Sequence, residues 1–326
     1  MNNLEKIRQL RDIVYARVSP LVGTDVVYLD LPYHYNSGDT LIWQGTLDFI
    51  KSLDLRCRLL TNANTWYADK AIGLCRRNHG SSTILLHGGG NFGDIWPMQQ
   101  RFRNYVISNC PDVPVIILPQ TIYYQDERNL SCDSELYKGR NNITICVRDN
   151  TSLEIAEKYF PDNNPVLVPD MAFCMDMDRY GLSSPERDNL FVRRTDKEYS
   201  ETVRYDTVPS DADVSDWPTL YPRFQSQFDH SEALKWAARI DCRLSTHLRD
   251  RLTNHYWNTR IRQAIVESAI SFVGSYRNIY TTRMHAAILS VLLNRDRIVL
   301  FDNSYGKSSS FADAWFGDLD NFIIRR

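Results

Sequence analysis

The sequence Leu85-Leu86-His87-Gly88-Gly89-Gly90-Asn91-Phe92-Gly93-Asp94 is the most informative part of the chain, because an apolar segment runs directly into three glycines and an acid. Residues 81–86 have the apolar character of a buried β-strand, and residues 95–107 have the pattern of a helix after it. Three glycines at a strand's carboxyl end remove every Cβ from the turn, so backbone N–H groups can close on a ligand beside a helix N-terminus. The stretch therefore predicts an anion-binding βα unit.

A shorter version of this pattern occurs upstream. Residues 25–31 are predicted to form a strand that leads into Asn36-Ser37-Gly38-Asp39 and then into a helix-like run over residues 41–50. Both loops contain Asn, Gly and Asp, and we expect them to face one cleft, although tight turning alone remains an alternative explanation for the glycines. The G-x-G-x-x-G spacing of dinucleotide-binding loops and the Gly-Lys-Ser/Thr of a P-loop are both missing, which argues against nucleotide cofactors.

Length and composition narrow the class of protein. At 326 residues the chain is long for one hydrophobic core, which predicts two domains. Hydrophobic residues make up 43% of the sequence, yet no segment approaches the roughly 18 consecutive apolar residues of a membrane span. The seven cysteines are scattered without a metal-binding spacing, so we expect reduced thiols, no metal site and a cytoplasmic location. A net charge of -2 argues against nucleic acid as a partner.

Strand and helix patterns alternate along the first half of the chain, which is typical of a doubly wound parallel sheet. The pattern loosens between residues 170 and 189, and a second set of strands and helices follows. We therefore expect an α/β fold with an N-terminal domain over residues 1–180 and a C-terminal domain over residues 181–326. Residues 4–18 predict an amphipathic helix with a basic face, which either packs on its own domain or makes peripheral contact with a membrane surface.

The second half contains a further set of polar residues at predicted strand ends, where ligands of parallel sheets bind. Arg283 and His285 follow one strand and begin an apolar helix, so we expect the arginine to hold an anion and the histidine to transfer a proton. The segment Asp302-Asn303-Ser304-Tyr305-Gly306-Lys307 follows the next strand and supplies a helix cap and a cation. Weaker candidates follow two other strands and could instead form ion pairs between domains: Arg193 with Arg194, and Arg148 with Asp149.

Taken together, these motifs resemble the polysaccharide pyruvyl transferases, and most closely those of bacterial exopolysaccharide gene clusters. The resemblance covers most of the chain and rests on Asn36–Asp39, His87–Asp94, Pro119–Thr121, Arg148-Asp149, Pro169-Asp170, Arg193–Asp196, Thr281–His285 and Asp302–Lys307. It implies two Rossmann-like domains of GT-B type that face a central cleft. It further implies phosphoenolpyruvate as the donor substrate, a sugar of a lipid-linked oligosaccharide as the acceptor, and a pyruvate ketal as the product.

This resemblance assigns a role to each candidate residue, with no metal and no cofactor. The donor substrate is expected to be held by Arg283, by the backbone amides of Gly88, Gly89 and Gly90, and by Arg193 or Arg194. His285 is the expected proton donor, and Asp39 and Asp94 are candidate bases that could equally be helix caps. Further substrate contacts are expected from Asn36, Asn91, Asn303 and Lys307. Residues 198–260 match no motif of the family, so the acceptor sugar is not identified.

Two other classes of function stay open on the sequence. A GT-B-type nucleotide-sugar glycosyltransferase would share the architecture and would need a pocket for a base and a ribose. A non-catalytic sugar-binding protein is suggested by the seven tryptophans and eighteen tyrosines, because aromatic faces stack on sugars. The family usually has Arg-Leu-His where this chain has Arg283, Met284 and His285, a departure that keeps both polar groups.

Overall fold

Two parallel β-sheets, each flanked by helices, form the framework of the protein. The computed structural model describes residues 1–77, 80–181, 184–195, 205–218, 246–302 and 306–326, without the side chains of Trp66, Lys307 and residues 246–250. Within these residues the mixed strand and helix order confirms the α/β class that the sequence predicts.

The first sheet contains seven strands in the order β2-β1-β3-β5-β6-β7, with β4 added beside β5. These strands are β1 (Asp25–Leu29), β2 (Arg56–Leu60), β3 (Ser82–Leu86), β4 (Gly89–Gly93), β5 (Val115–Tyr123), β6 (Ile143–Val147) and β7 (Val166–Leu167). The second sheet has the order β12-β11-β10-β8-β9. Its strands are β8 (Arg187–Val192), β9 (Asp213–Ser215), β10 (Tyr276–Thr281), β11 (Arg297–Phe301) and β12 (Phe322–Arg325). Every strand pair is parallel, as the sequence predicts.

The helices connect these strands, and several of them begin at polar caps. They are α1 (Asn3–Val18), α2 (Ser37–Ser52), α3 (Thr65–Arg77), α4 (Pro97–Asn109), α5 (Glu127–Tyr137), α6 (Asn150–Tyr159), α7 (Thr246–Tyr256), α8 (Arg262–Gly274), α9 (Met284–Leu292) and α10 (Lys307–Trp315), with a π-helical turn at Trp257–Ile261 between α7 and α8. The side chain of Asn36 accepts a hydrogen bond from the backbone N–H of Gly38 and so begins α2. Asp149 begins α6 in the same way, through the N–H of Ser152.

The glycine-rich segment differs from its prediction. We expected the glycines to turn directly into a helix at residue 95, but Gly89–Gly93 forms β4 and α4 begins only at Pro97. Strand β5 continues to Tyr123, beyond the apolar run that ends at Leu118, and this extension gives the glycines a pairing partner. At Gly93 the backbone φ is 127°, and a Cβ would lie 1.8 Å from the carbonyl oxygen of Tyr123. Glycine here permits close strand pairing, so the helix N-terminus does not adjoin the glycines.

One apolar cluster joins α1, α2 and the segment around Phe173 to the second sheet. Ile7 and Leu10 of α1, Leu41 of α2 and Phe173 pack in the same buried cluster as the helices of the second sheet. The predicted helix over residues 4–18 is confirmed as α1, and two cations of its basic face bind backbone carbonyls of the chain itself. Arg11 donates to the carbonyls of Phe173 and Met175, while Arg17 donates to that of Leu167. Among the described residues, no helix has both the length and the apolar character needed to cross a membrane.

We predict that Gly45→Ala destabilises the protein although alanine favours helices. Gly45 lies within α2, and a Cβ there would lie 2.0 Å from the carbonyl oxygen of Met171. The backbone must move to accept the methyl group, which costs about 1–3 kcal/mol of unfolding free energy. Gly317→Ala is the control, because no atom lies within 4 Å of its Cβ position. Urea unfolding of both variants measures the difference, and a Gly45→Ala protein as stable as wild type would contradict the close contact.

Candidate functional site

A cleft of about 420 Å³ lies where the strand ends of the two sheets meet. Its size is within the usual range for small-molecule sites. Three cationic side chains line it together with carboxylate, amide, imidazole and indole groups. The lining residues are His34, Asn36, Asp39, Gly90, Asn91, Trp96, Gln99, Arg148, Arg194, Trp217, Arg283, Met284, His285 and Ser308.

The structure brings most of the residues proposed from the sequence into this cleft. Those that line it are Asn36, Asp39, Gly90, Asn91, Arg194, Arg283 and His285. Gly88 and Gly89 are buried behind this surface. Arg193 points elsewhere, with its guanidinium 5.6 Å from the centre of the Tyr205 ring. Asn303 and the side chain of Lys307 lie outside the described residues.

The most deeply buried charged group of the cleft is Arg148, at the end of β6. Its Nη1 donates to Asp170 Oδ2 at 2.5 Å, and its Nε donates to Thr121 Oγ1 at 3.0 Å. Thr121 in turn donates to Asp149 Oδ2 at 2.9 Å. Arg148 and Asp170 are both fully buried. An ion pair that is buried to this extent holds its guanidinium in a single orientation, because any other would leave a charge unpaired.

His285 joins this ion pair from the other sheet. It lies in the first turn of α9, and its Nε2 is 3.4 Å from both Asp170 Oδ2 and Arg148 Nη1. Burial alone would raise the pKa of the Asp170 carboxyl, but the hydrogen bond from His285 and the charges of His285 and Arg148 outweigh it and lower that pKa. Asp170 is therefore an anion that orients both side chains.

The glycine of the first loop makes room for this histidine. A Cβ at Gly38 would lie 2.5 Å from His285 Nδ1, so any larger residue would displace the ring. Gly38 is in the first turn of α2, and its place there brings Asp39 into the cleft beside it. The structure thus brings the Asn36–Asp39 loop and the Arg283–His285 motif together in one cleft.

Arg283 has a carboxylate partner within the chain. Its Nη2 donates to Asp216 Oδ2 at 2.7 Å, and its Nε donates to Asp216 Oδ1. Asp216 also accepts the backbone N–H groups of Thr195 and Trp217. Burial raises the pKa of the Asp216 carboxyl, and the hydrogen bond and charge of Arg283 lower it by more. The guanidinium that we expected to hold an anion of the substrate is therefore also anchored to Asp216, directly after β9.

The two candidate bases have different surroundings. Asp94 accepts hydrogen bonds from the backbone N–H groups of Gln125 and Asp126 and from Asn129 Nδ2, at 2.8 to 3.1 Å. Burial raises the pKa of the Asp94 carboxyl, but the hydrogen bonds that it accepts together outweigh burial and lower that pKa. These contacts tie Asp94 to the residues that lead into α5, whose own N-cap is Asp126. Asp39 instead faces the cleft, with its Oδ2 3.7 Å from His34 Nε2.

Several cleft residues were given little or no weight from the sequence. Arg148 was only a weak candidate, because an arginine after a strand is common at domain interfaces, and its pairing with Asp170 is formed across two strand ends. The other aromatic and polar residues of the cleft are not part of a recognisable sequence motif. They are His34, Trp96, Gln99, Trp217 and Ser308. Of the two tryptophans there, Trp96 is more exposed than Trp217, with 39% of its surface accessible.

Comparison with known proteins agrees with these motifs. The family model described as polysaccharide pyruvyl transferase matches residues 36–303. The chain is 30% identical over 311 residues to a candidate pyruvyl transferase, EpsO, of Bacillus subtilis (strain 168), covering 95% of this chain and 89% of that one. It is 27% identical over 305 residues to pyruvyl transferase 1 of Schizosaccharomyces pombe, covering 89% of this chain and 69% of that one.

A solved structure supports the fold. The crystal structure of a functionally uncharacterised protein of Klebsiella pneumoniae superposes with a TM-score of 0.62 over 98% of each chain. The two sequences are 18% identical, so the likeness concerns architecture alone.

We predict a stability change between about pH 6.5 and pH 4 that depends on His87. This fully buried ring is 2.5 Å from the Tyr28 hydroxyl through Nδ1, and burial lowers its pKa from 6.5 to about 4. As the pH falls, His87 of the unfolded chain is protonated at a higher pH than His87 of the folded protein, and this favours unfolding. The contribution of His87 to the unfolding free energy is complete above pH 6.5, and about 3 kcal/mol of it is lost as the pH falls to 4. Denaturant unfolding at several pH values should give a shallower acid slope for His87→Gln. Equal slopes would remove His87 as the cause.

Proposed function

Because the chain belongs to the polysaccharide pyruvyl transferase family, we propose that it transfers pyruvate from phosphoenolpyruvate to a sugar of an exopolysaccharide or capsule repeat unit. The product is a ketal that bridges two sugar hydroxyls. We also propose that residues 1–180 and 181–326 act as the two domains of a GT-B arrangement. This proposal is supported by the two parallel sheets and by the cleft between their strand ends.

The observation that carries the proposal is the cationic wall of the cleft. Arg148, Arg194 and Arg283 lie there within reach of one small ligand. Phosphoenolpyruvate presents a phosphate and a carboxylate, and guanidinium groups bind both through paired N–H donors. Arg148 is the strongest anchor, since Asp170 and Thr121 use only its Nη1 and Nε. Among the described residues its Nη2 has no hydrogen-bond partner, which leaves an oriented donor for the substrate.

The reaction follows from the groups that surround the donor substrate. His285 protonates the methylene carbon of phosphoenolpyruvate, which makes the neighbouring carbon electrophilic. One sugar hydroxyl attacks that carbon and gives its proton to a base. The bond to the phosphate oxygen then breaks, phosphate leaves, and the second hydroxyl adds with loss of its own proton. Asp39 is the base in this proposal, because Asp94 already accepts three hydrogen bonds.

The proposal also assigns the other substrate-binding residues, the acceptor and the location of the enzyme. Asn36, Asn91 and Gly90 contact substrate from the first half of the chain, and Asn303 and Lys307 are assigned to substrate binding from the second half. The acceptor is a lipid-linked oligosaccharide, and the indoles of Trp96 and Trp217 offer faces on which its sugars can stack. The enzyme works in the cytoplasm at the inner face of the membrane, touches the surface peripherally and needs no cofactor.

Incubation with phosphoenolpyruvate and disaccharide acceptors tests the proposed reaction. Phosphate release and a mass gain of one pyruvate ketal on the acceptor are the expected results. A thermal-shift comparison of phosphoenolpyruvate with UDP, GDP and CMP tests the alternative glycosyltransferase. Stabilisation by a nucleotide alone, without phosphate release, would favour that alternative.

We predict that His285→Gln retains the binding of phosphoenolpyruvate but lowers turnover. Glutamine keeps a hydrogen bond to Asp170 and cannot deliver a proton at neutral pH. The expected loss in kcat is about 10²- to 10⁴-fold. Calorimetric binding and steady-state kinetics separate the two effects, and turnover at the wild-type rate would transfer the proton donor to another group.

We predict that Arg148→Lys weakens the binding of phosphoenolpyruvate by at least about tenfold, although the charge is retained. The single ammonium of a lysine cannot occupy the separate positions from which Nε, Nη1 and Nη2 of arginine reach Thr121, Asp170 and substrate. Arg128→Lys is the matched control, since Arg128 is 89% exposed and pairs with Asp126 on the surface. Isothermal titration of both variants gives the comparison. Equal affinities would exclude Arg148 from the donor site.

A further inference from the structure

The side-chain amide of Asn91 is held from behind by two buried donors. Arg103 Nη2 donates to Asn91 Oδ1 at 2.5 Å, and Gln120 Nε2 donates to the same oxygen at 2.9 Å. Arg103 and Gln120 are both fully buried. Because two donors bind the same atom of the amide, that atom must be the oxygen, and the other atom is the nitrogen. The Oδ1 of Asn91 therefore faces the protein interior, and its Nδ2 faces the cleft that Asn91 lines.

The two donors are themselves fixed in orientation. Gln120 Oε1 accepts the backbone N–H of Asn91 at 3.1 Å, so Gln120 Nε2 must be its donor end, and this nitrogen also binds the carbonyl of His87 at 2.7 Å. The guanidinium of Arg103 lies 4.7 Å from the centre of the Phe92 ring, and it donates to Gln100 Oε1. Neither side chain can turn away without leaving buried polar atoms unpaired, which is costly.

We propose that Arg103 and Gln120 are positioning residues that hold Asn91 Nδ2 as a hydrogen-bond donor to an oxygen of bound phosphoenolpyruvate. This inference rests on the proposed function, because it concerns the donor substrate of the same cleft. Among the described residues Asn91 Nδ2 has no hydrogen-bond partner. An amide NH₂ can only donate, and the oxygens of an anion can only accept, so the two are complementary.

The contact with Arg103 also strengthens this donor. A cation bound to the amide oxygen draws electron density from the nitrogen, which makes the N–H groups more positive. Because the amide is oriented before substrate arrives, no rearrangement is needed on binding. A neutral donor of this kind complements the three arginines of the cleft without adding repulsion between cations.

The variant Asn91→Asp reverses the polarity of this one group and nearly keeps its shape. One carboxylate oxygen keeps the hydrogen bonds from Arg103 and Gln120, while the other replaces the NH₂ that faces the cleft. We expect a melting temperature equal to or above that of wild type, because Arg103 gains a charged partner. We expect the Kd for phosphoenolpyruvate, measured by calorimetry without acceptor, to rise at least about tenfold. A wild-type Kd in this variant would overturn the inference.

A double-mutant cycle tests whether Arg103 acts through Asn91. Arg103→Lys should weaken phosphoenolpyruvate binding in the wild-type background and cause no further loss in the Asn91→Ala background. Equal losses in both backgrounds would show a general structural effect and would overturn the positioning role. Gln120→Met removes the second donor and provides the same comparison if Arg103→Lys does not fold.

The wild-type protein separates this inference from the proposed function. A wild-type protein that does not bind phosphoenolpyruvate overturns both. A wild-type protein that binds it, together with an Asn91→Asp variant that binds it equally well, overturns only the role of Asn91.

Discussion

The buried ion pair of Arg148 and Asp170 is the interaction on which the rest of the site depends. Taking both charges out of water costs several kcal/mol for each ion, and this cost is offset by their mutual attraction and by hydrogen bonds to neighbouring groups. His285 and Thr121 provide such partners for the side chains, and Trp315 Nε1 donates to the Arg148 carbonyl at 2.8 Å. The second half of the chain thus contacts both the backbone and the side chain of Arg148. The same buried ion pair therefore helps to fix how the two sheets are placed and sets the electrostatics of the cleft.

The regular elements could be predicted from the sequence where their own residues determine them. Strand β11 forms over the predicted residues 297–301, since an apolar run after a polar turn is enough to specify it. Strand β4 could not be predicted, because its glycines carry no strand preference and pair only where β5 extends past Leu118. Helix α5 was missed since it is mostly polar, and strand β12 because it is short and only half buried.

The two similar loops show why the site could be predicted only in part. Both have Asn, Gly and Asp, yet Gly38 makes room for His285 and Gly93 makes room for the Tyr123 carbonyl. The two acids also differ, because Asp39 faces the cleft whereas Asp94 accepts hydrogen bonds from the backbone that leads into α5. A sequence pattern identifies the polar residues that follow a strand. It does not identify their contacts, because the contacting residues come from distant parts of the chain. For the same reason, Arg148 was underrated and the partner of Arg283 was not foreseen.

Helix α1 has a consequence for how the protein is assembled on the ribosome. Asn3 Nδ2 donates to the carbonyl of Arg295, which lies 292 residues later in the sequence, and Lys6 pairs with Asp318. Ile7 and Leu10 of the same helix complete the core of the second sheet. During synthesis α1 must therefore leave the exit tunnel long before its partners exist, with its apolar face uncovered. Until the second sheet has formed, Ile7 and Leu10 belong to a transiently exposed apolar surface of the kind that promotes aggregation and that chaperones shield.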